Sequence, residues 1–224
     1  MKEMLDNIAH QWRQPLAQIN STVGAIDKLL YDKNVHDPLL EEKLQEIEAL
    51  TKYMSNTIDD FKGYFANNNS KAKVFLRDVV EQSIAIVRVN LEENQIAIET
   101  KMDMNYECEC YANELKQIIV VLFNNAKDAL LDRNVYQANI EVEIALNDGE
   151  YAINIYDNAG GISKSVREKM FEPYYTTKHK SQGSGLGLYM SRKIIRERFH
   201  GEINVSNVNK GSRFSIVFPK ENLS

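Results

Sequence analysis

At 224 residues, 43% of them hydrophobic, the chain is long enough for one large domain or two modest ones with buried cores. Its formal charge is −5 and its 27 basic residues are not gathered into a run, which excludes the electrostatic footprint of a nucleic-acid or anionic-membrane binder. No signal peptide and no apolar run of bilayer-spanning length is visible, so the chain as given is expected to be cytoplasmic and to make no membrane contact.

From the first residues, apolar side chains recur at steps of three and four: Leu5, Ile8, Trp12, Leu16, Ile19, Val23, Ile26 and Leu30. This helical, nearly heptad period predicts one long amphipathic helix, and because it is already running at the start, a sensor region is expected to precede it. After the turn from Tyr31 to Pro38 the period resumes at Leu40, Leu44, Ile47, Leu50, Met54, Ile58, Phe61 and Phe65, with Pro38 suited to a first helical turn. Residues 1–66 therefore read as an antiparallel α-helical hairpin. Two helices alone bury too little surface, so a second copy is expected to complete a four-helix bundle, making the protein a homodimer.

His10 lies off the apolar stripe of the first helix, where a solvated surface histidine is the plainer reading. Pro15 tells against that reading. It offers no amide to the carbonyl of Gln11 and should bend or loosen the helix one turn on; such a breaker costs about 3 kcal/mol, which suggests a use.

The polar run Asn67-Asn-Asn-Ser-Lys71 has no apolar period and reads as a hinge, so residues 67–73 are taken as linker and 74–224 as a second, mixed α and β domain. Leu76–Leu91 is helical in period, Ile96–Met102 alternates as a strand, and Tyr106–Tyr111 reads as a short second strand. Cys108 and Cys110 share one face of it, with no other His or Cys nearby. They read as reduced structural thiols rather than a disulfide or a zinc site.

Asn113–Leu131 is a strong helix with Leu115, Ile118, Ile119, Leu122 and Ala126 on its core face and Asn125 beside them. A mid-helix Asn is more often a surface residue. Ile140–Leu146 and Tyr151–Tyr156 alternate as two strands of a hairpin joined by Asn-Asp-Gly, and Asp157 follows as a turn-former or a site carboxylate.

Five of the ten glycines then crowd into one stretch, at 160, 161, 183, 185 and 187, around a short amphipathic helix and the segment Phe171-Glu-Pro-Tyr-Tyr-Thr-Thr-Lys178. The last three directly precede a helix at Leu188–Phe199. Bare amides at the positive end of a helix dipole suit a polyphosphate, although turns and tight packing use the same residues. Glu202–Val208 and Gly211–Pro219 close the chain as strands, and His200 reads as a histidine at a helix C-terminus.

Taken in order, Asn125, Asp157, Lys178 and the glycines resemble the N, G1, F and G2 boxes of the GHKL ATP-binding fold. Residues 9–16, Ala-His-Gln-Trp-Arg-Gln-Pro-Leu, resemble the H box of a dimerisation and phosphotransfer domain. With both, the chain resembles the catalytic core of a sensor histidine kinase of a two-component system: a helical hairpin that forms a dimeric four-helix bundle, followed by a GHKL-type α/β sandwich.

The resemblance implies ATP and Mg²⁺ as cofactors, autophosphorylation of His10, and phosphotransfer to an aspartate on the receiver domain of a separate response regulator. Gln14 would position water for dephosphorylating that partner. Asn125 would ligate Mg²⁺, Asp157 would accept from the adenine amino group, and Gly161 matches the G1 turn. Thr177 and Lys178 would face the phosphates, and Gly183, Ser184, Gly185, Leu186 and Gly187 would wrap them through their amides.

Three positions depart from the commonest pattern. Gln11 stands where an acidic residue usually follows the histidine, and Ala159 replaces the first glycine of the G1 box. Val121 stands where the gyrase-like and Hsp90-like members carry a water-activating Glu, and an aliphatic side chain cannot polarise water. Val121 and His10 therefore argue against an ATP-gated conformational switch. A nucleotide-binding dimeric scaffold without catalysis is the other alternative.

Overall fold

The computed structural model describes residues 2–65, 70–102, 104–177 and 185–220, and, within the hairpin, the side chains from residue 11 onward except at 52–53 and 56–65. The chain divides into two compact units, Met1–Asn67 with Glu172–Gly187, and Asn68–Phe171 with Leu188–Ser224.

The first unit holds the hairpin of α1 (Lys2–Asp32) and α2 (Pro38–Phe65). The expected loosening at Pro15 does not interrupt α1, which continues through it. Asn34, at φ 55°, ends α1 in place of the usual glycine. The Val35 N–H donates to Leu30 O and the Asn34 N–H to Tyr31 O, the bond pair of a Schellman cap. Asp37 Oδ1 then accepts from the Leu39 and Leu40 amides, with Pro38 as the first helical residue.

The heptad stripe splits into two rows. Leu16, Val23, Leu44 and Thr51 are at most 5% exposed, while Trp12, Ile19, Ile26, Leu40, Ile47 and Met54 are between 37 and 52% exposed. The buried row is the hairpin's own seam. Thr51, its one polar member among these four, donates to Asn20 Oδ1 across the helices.

The second unit runs β1 (Ala72–Phe75), α3 (Leu76–Glu93), β2 (Ala97–Lys101), β3 (Glu107–Cys110), α4 (Ala112–Asp132), β4 (Asn139–Asn147), β5 (Glu150–Asp157), α5 (Lys164–Lys169), α6 (Gly187–Arg198, from its second residue), β6 (Glu202–Val208) and β7 (Gly211–Pro219). Strand β1 was not expected: it begins inside the stretch read as linker, and pairs antiparallel with β3. Four residues with a mostly exposed pattern carry too little alternation to be read as a strand. Cys108 and Cys110 are free and buried on β3. A hydrogen bond between the two thiols lowers the pKa of Cys108 and raises that of Cys110, whose burial pushes it further up.

The main sheet has the order β2-β4-β5-β7-β6, with β2 parallel to β4 and the other neighbours antiparallel. The β4–β5 connection is the expected hairpin, but Asn147 belongs to β4, so the turn is the two residues Asp148 and Gly149, both at positive φ as a type I′ hairpin requires. Register places Ile140, Val142 and Ile144 of β4, Ile153 and Ile155 of β5, Phe214, Ile216 and Phe218 of β7 and Ile203 of β6 on one face, all buried. The other face carries Glu143, Asn154, Tyr156 and Ser215, joined by hydrogen bonds. This alternation marks an antiparallel sheet with one face on a core.

Helix α4 packs on β5 and against α3, burying Leu115, Ile118, Ile119, Leu122, Phe123 and Leu130. Helix α6 buries Ile194 and Ile195 and is fastened to β6 through Glu202, which takes Arg192 Nε at 2.6 Å and Arg196 Nε at 2.7 Å. Burial would raise the pKa of Glu202, but the donors Arg196 and Arg192 outweigh it and hold the carboxyl below its ordinary range.

Candidate functional site

At one end of the apolar sheet face, three strands turn polar in the same register row. Asp157 of β5 lies opposite Ser212 of β7, which lies opposite Asn207 of β6. Asp157 is buried, and its carboxylate takes two neutral donors, the Ala159 N–H on Oδ1 at 2.8 Å and Ser212 Oγ on Oδ2 at 2.5 Å. An ionised carboxylate offers roughly four lone-pair positions, so acceptor capacity remains for a further N–H donor.

The loop from Asn158 to Ile162 closes over this row. Asn158 spans the entry to β4, accepting from the Asn139 amide and donating to Gln137 O, both at 2.9 Å. Arg133 donates its guanidinium to Ala159 O. The Gly160 N–H donates to Lys210 O at 2.7 Å, and Asn207 exchanges bonds with both backbone groups of Ile162.

The left-handed positions are Gly160 and Gly161, at φ 89° and 79°. An alanine therefore fits at 159 without strain. Gly211 is the tightest approach: a Cβ there would lie 1.6 Å from Asp157 O, which no side chain can satisfy.

Ser212, Asn207, Arg133 and Gly211 were missed by sequence reasoning. A signal for the first two was present, since each is a polar residue in the apolar phase of its strand, as Asp157 is in its own.

Asn125 is half-buried on α4, next in the chain to the buried Ala126, and Val121 is half-buried one turn before it. In the segment 172–187, the Tyr174 N–H donates to Gly185 O at 3.1 Å. Both residues are left-handed, at φ 64° and 66°, and a Cβ on Gly185 would lie 2.5 Å from Tyr174 C. Thr177 is exposed, Leu186 is buried, and Gly187 is the first residue of α6. Lys178, Gly183 and Ser184 lie outside the described residues.

His10 and Gln14 stand one turn apart on α1; Gln14 is exposed, and the His10 side chain lies outside the described residues. Among the described residues, no cluster of three or more His, Cys, Asp or Glu could hold a metal ion. Nor is any described helix long and apolar enough to cross a membrane.

A mixed sheet with helices on one face and a glycine loop at its polar end defines an α/β domain. Residues 110–222, half of the chain, match the family described as histidine kinase-, DNA gyrase B-, and HSP90-like ATPase, and the chain belongs to that family.

Its relatives include sensor kinases. It is 25% identical over 222 residues to the two-component sensor PprA of Pseudomonas aeruginosa, covering 97% of this chain and 24% of PprA. It is 27% identical over 220 residues to the signal transduction histidine-protein kinase AtoS of Escherichia coli, covering 97% of this chain and 34% of AtoS. The chain thus spans about a quarter to a third of the length of these relatives. Among solved structures, histidine kinase ThkA in complex with response regulator protein TrrA is similar with a TM-score of 0.66 at 21% identity, covering 98% of this chain and 61% of that one. At that identity the likeness is one of fold.

Proposed function

We propose that this chain is the dimerisation and catalytic core of a sensor histidine kinase, which phosphorylates His10 from ATP and passes the phosphoryl group to an aspartate on the receiver domain of a response regulator. The observation that carries this reading is the buried Asp157 carboxylate. It is fixed by two neutral donors and keeps acceptor capacity at the mouth of a glycine loop, in a chain whose relatives are sensor kinases. Such a group suits the exocyclic amine of adenine, and guanine presents a carbonyl at the same position.

Asn125 would supply an amide oxygen to Mg²⁺ carried in with the nucleotide; a hard cation with phosphate and water ligands needs few protein groups. Gly183, Ser184, Gly185, Leu186 and Gly187, with Thr177 and Lys178, would offer amides, a hydroxyl and a cation to the phosphates. Preorganised donors of this kind are the main lever in phosphoryl transfer.

The neutral imidazole of His10 attacks the γ-phosphorus, forming an N–P bond as the P–O bond to ADP breaks, and the ring proton leaves to solvent. A receiver carboxylate then attacks the same phosphorus and regenerates imidazole. Val121, one turn before Asn125, offers no base to activate water, which favours transfer over hydrolysis. Gln14, exposed one turn after His10, would orient water for hydrolysing the receiver's aspartyl phosphate, releasing inorganic phosphate.

The exposed row Trp12, Ile19, Ile26, Leu40, Ile47 and Met54 fits the matching row of a second copy, giving a homodimeric four-helix bundle. Residues 1–66 form the dimerisation and phosphotransfer domain and 74–224 the ATP-binding domain. The hinge of 67–73 shortens where β1 takes up Ala72 and Lys73.

Incubation with γ-labelled ATP tests the reading. Acid-labile, base-stable label on the protein supports the kinase. Steady phosphate release without label supports an ATP-gated switch, and binding with neither supports a scaffold.

A further inference from the structure

We infer that Asn207 is a positioning residue for nucleotide binding: it clamps the far end of the loop whose near end is Asp157, and so presets the adenine pocket without touching the nucleotide. The inference rests on the proposed nucleotide site. Its geometry is that of a side chain imitating a strand. Asn207 Oδ1 accepts the Ile162 N–H at 2.8 Å and Nδ2 donates to Ile162 O at 3.0 Å, so both backbone groups of one loop residue are taken by one amide.

Asn207 also faces Ser212 across the β6–β7 ladder, and Ser212 holds the Asp157 carboxylate. A single cross-strand pair therefore grips both ends of the loop, while Lys210 O holds its middle at Gly160. Between the grips lie Gly160 and Gly161, both left-handed. A Gly-Gly step loses more backbone freedom on ordering than any other, so without an external clamp it would have to be ordered by the nucleotide itself. The amide lies 3.0 Å from where a Gly161 Cβ would sit, so a side chain at 161 would press on the clamp and shift it by a few tenths of an ångström.

The whole chain serves for the test. Asn207→Ala is expected to raise KM for Mg·ATP about tenfold while kcat for His10 phosphorylation stays within about twofold, as befits two exposed neutral hydrogen bonds lost from a ground-state clamp. In the nucleotide-free protein, amide hydrogen exchange at Ile162 should accelerate about tenfold, with the amide of Ile216 in the inner strand β7 unchanged. Asn207→Asp keeps the acceptor and loses the donor, so exchange at Ile162 should stay near wild type while KM rises by a smaller factor.

Unchanged exchange at Ile162 in Asn207→Ala overturns the clamp. Accelerated exchange with unchanged KM, or a fall in kcat at unchanged KM, overturns its role in binding. If the wild-type chain takes up no ATP, the nucleotide reading itself fails, and the exchange measurement still decides whether the clamp exists.

Discussion

The hairpin and the sheet unit use their apolar residues differently. In the sheet unit, α4 lays Leu115, Ile119, Leu122 and Phe123 onto a strand face that is itself apolar, and these side chains are fully buried. In the hairpin, among the described residues, the apolar stripe is buried at Leu16, Val23 and Leu44, while Ile19 and Ile47 keep 42% and 39% of their surface exposed. One unit completes its own core, whereas the other leaves a row of apolar side chains exposed, the row that the proposed dimer would cover. The contrast teaches that the sheet unit should keep its fold whatever its concentration, while under the proposed dimer the hairpin's stability should rise with concentration.

The largest effect should come from emptying the completed core. Phe123→Ala removes a fully buried ring and should lower stability by about 3–5 kcal/mol, read as a lower urea midpoint for the sheet unit. An unchanged midpoint would mean that the Phe123 ring is not part of the core the sheet unit depends on. Charging the unfinished interface comes next. Ile47→Asp should weaken dimerisation at least about 100-fold by sedimentation, a loss of about 3 kcal/mol, with the urea transition of the sheet unit unmoved. A wild-type chain that sediments as a monomer at micromolar concentration would remove the contrast altogether.

Within the sheet unit, Asp157→Asn should weaken ATP binding by about 10–100-fold, the scale of a hydrogen bond to a charged group, and narrow the preference over GTP. Calorimetric titration with both nucleotides reads it. The smallest effect concerns Glu202, whose carboxyl is held below its ordinary range by Arg196 and Arg192 against the opposing influence of burial. A depressed folded pKa gives stability that is present above the unfolded value of about 4.3 and is lost as pH falls through the folded one. Because the carboxylate is one-third exposed, Glu202→Gln should cost only about 0.5–1 kcal/mol near pH 7, and the gap should close in acid.

Periodicity made both helices of the hairpin legible, and the Asp-Gly turn made β4 and β5 legible, because a single repeating constraint governs each. Other features depend on partners distant in sequence. Strand β1 exists through pairing with β3, and β2 enters the sheet beside β4, which no local pattern in 97–101 announces. Helix ends were obscured because Asn34, Gln95 and Asn134 adopt the left-handed cap usually given to glycine. His200, read as a histidine at a helix C-terminus, lies past the end of α6 and is left-handed, at φ 53°.

The candidate site divides along the same line. Asp157, Gly161 and Asn125 could be placed from a motif. Asn207 and Ser212 could not, because what matters about them is their register against one another and against Asp157. A polar residue in the apolar phase of a strand marks them, but that signal gains meaning only once the three strands are laid side by side.

The most direct test of the account is residue-level mapping after incubation with Mg·ATP, quenched in base to preserve phosphoramidates, on the wild type, His10→Ala and Asn125→Ala. The account predicts one phosphoryl group, on His10, in the wild type and none in either variant. Phosphorylation retained by His10→Ala, or mapped to another residue of the wild-type chain, would contradict it.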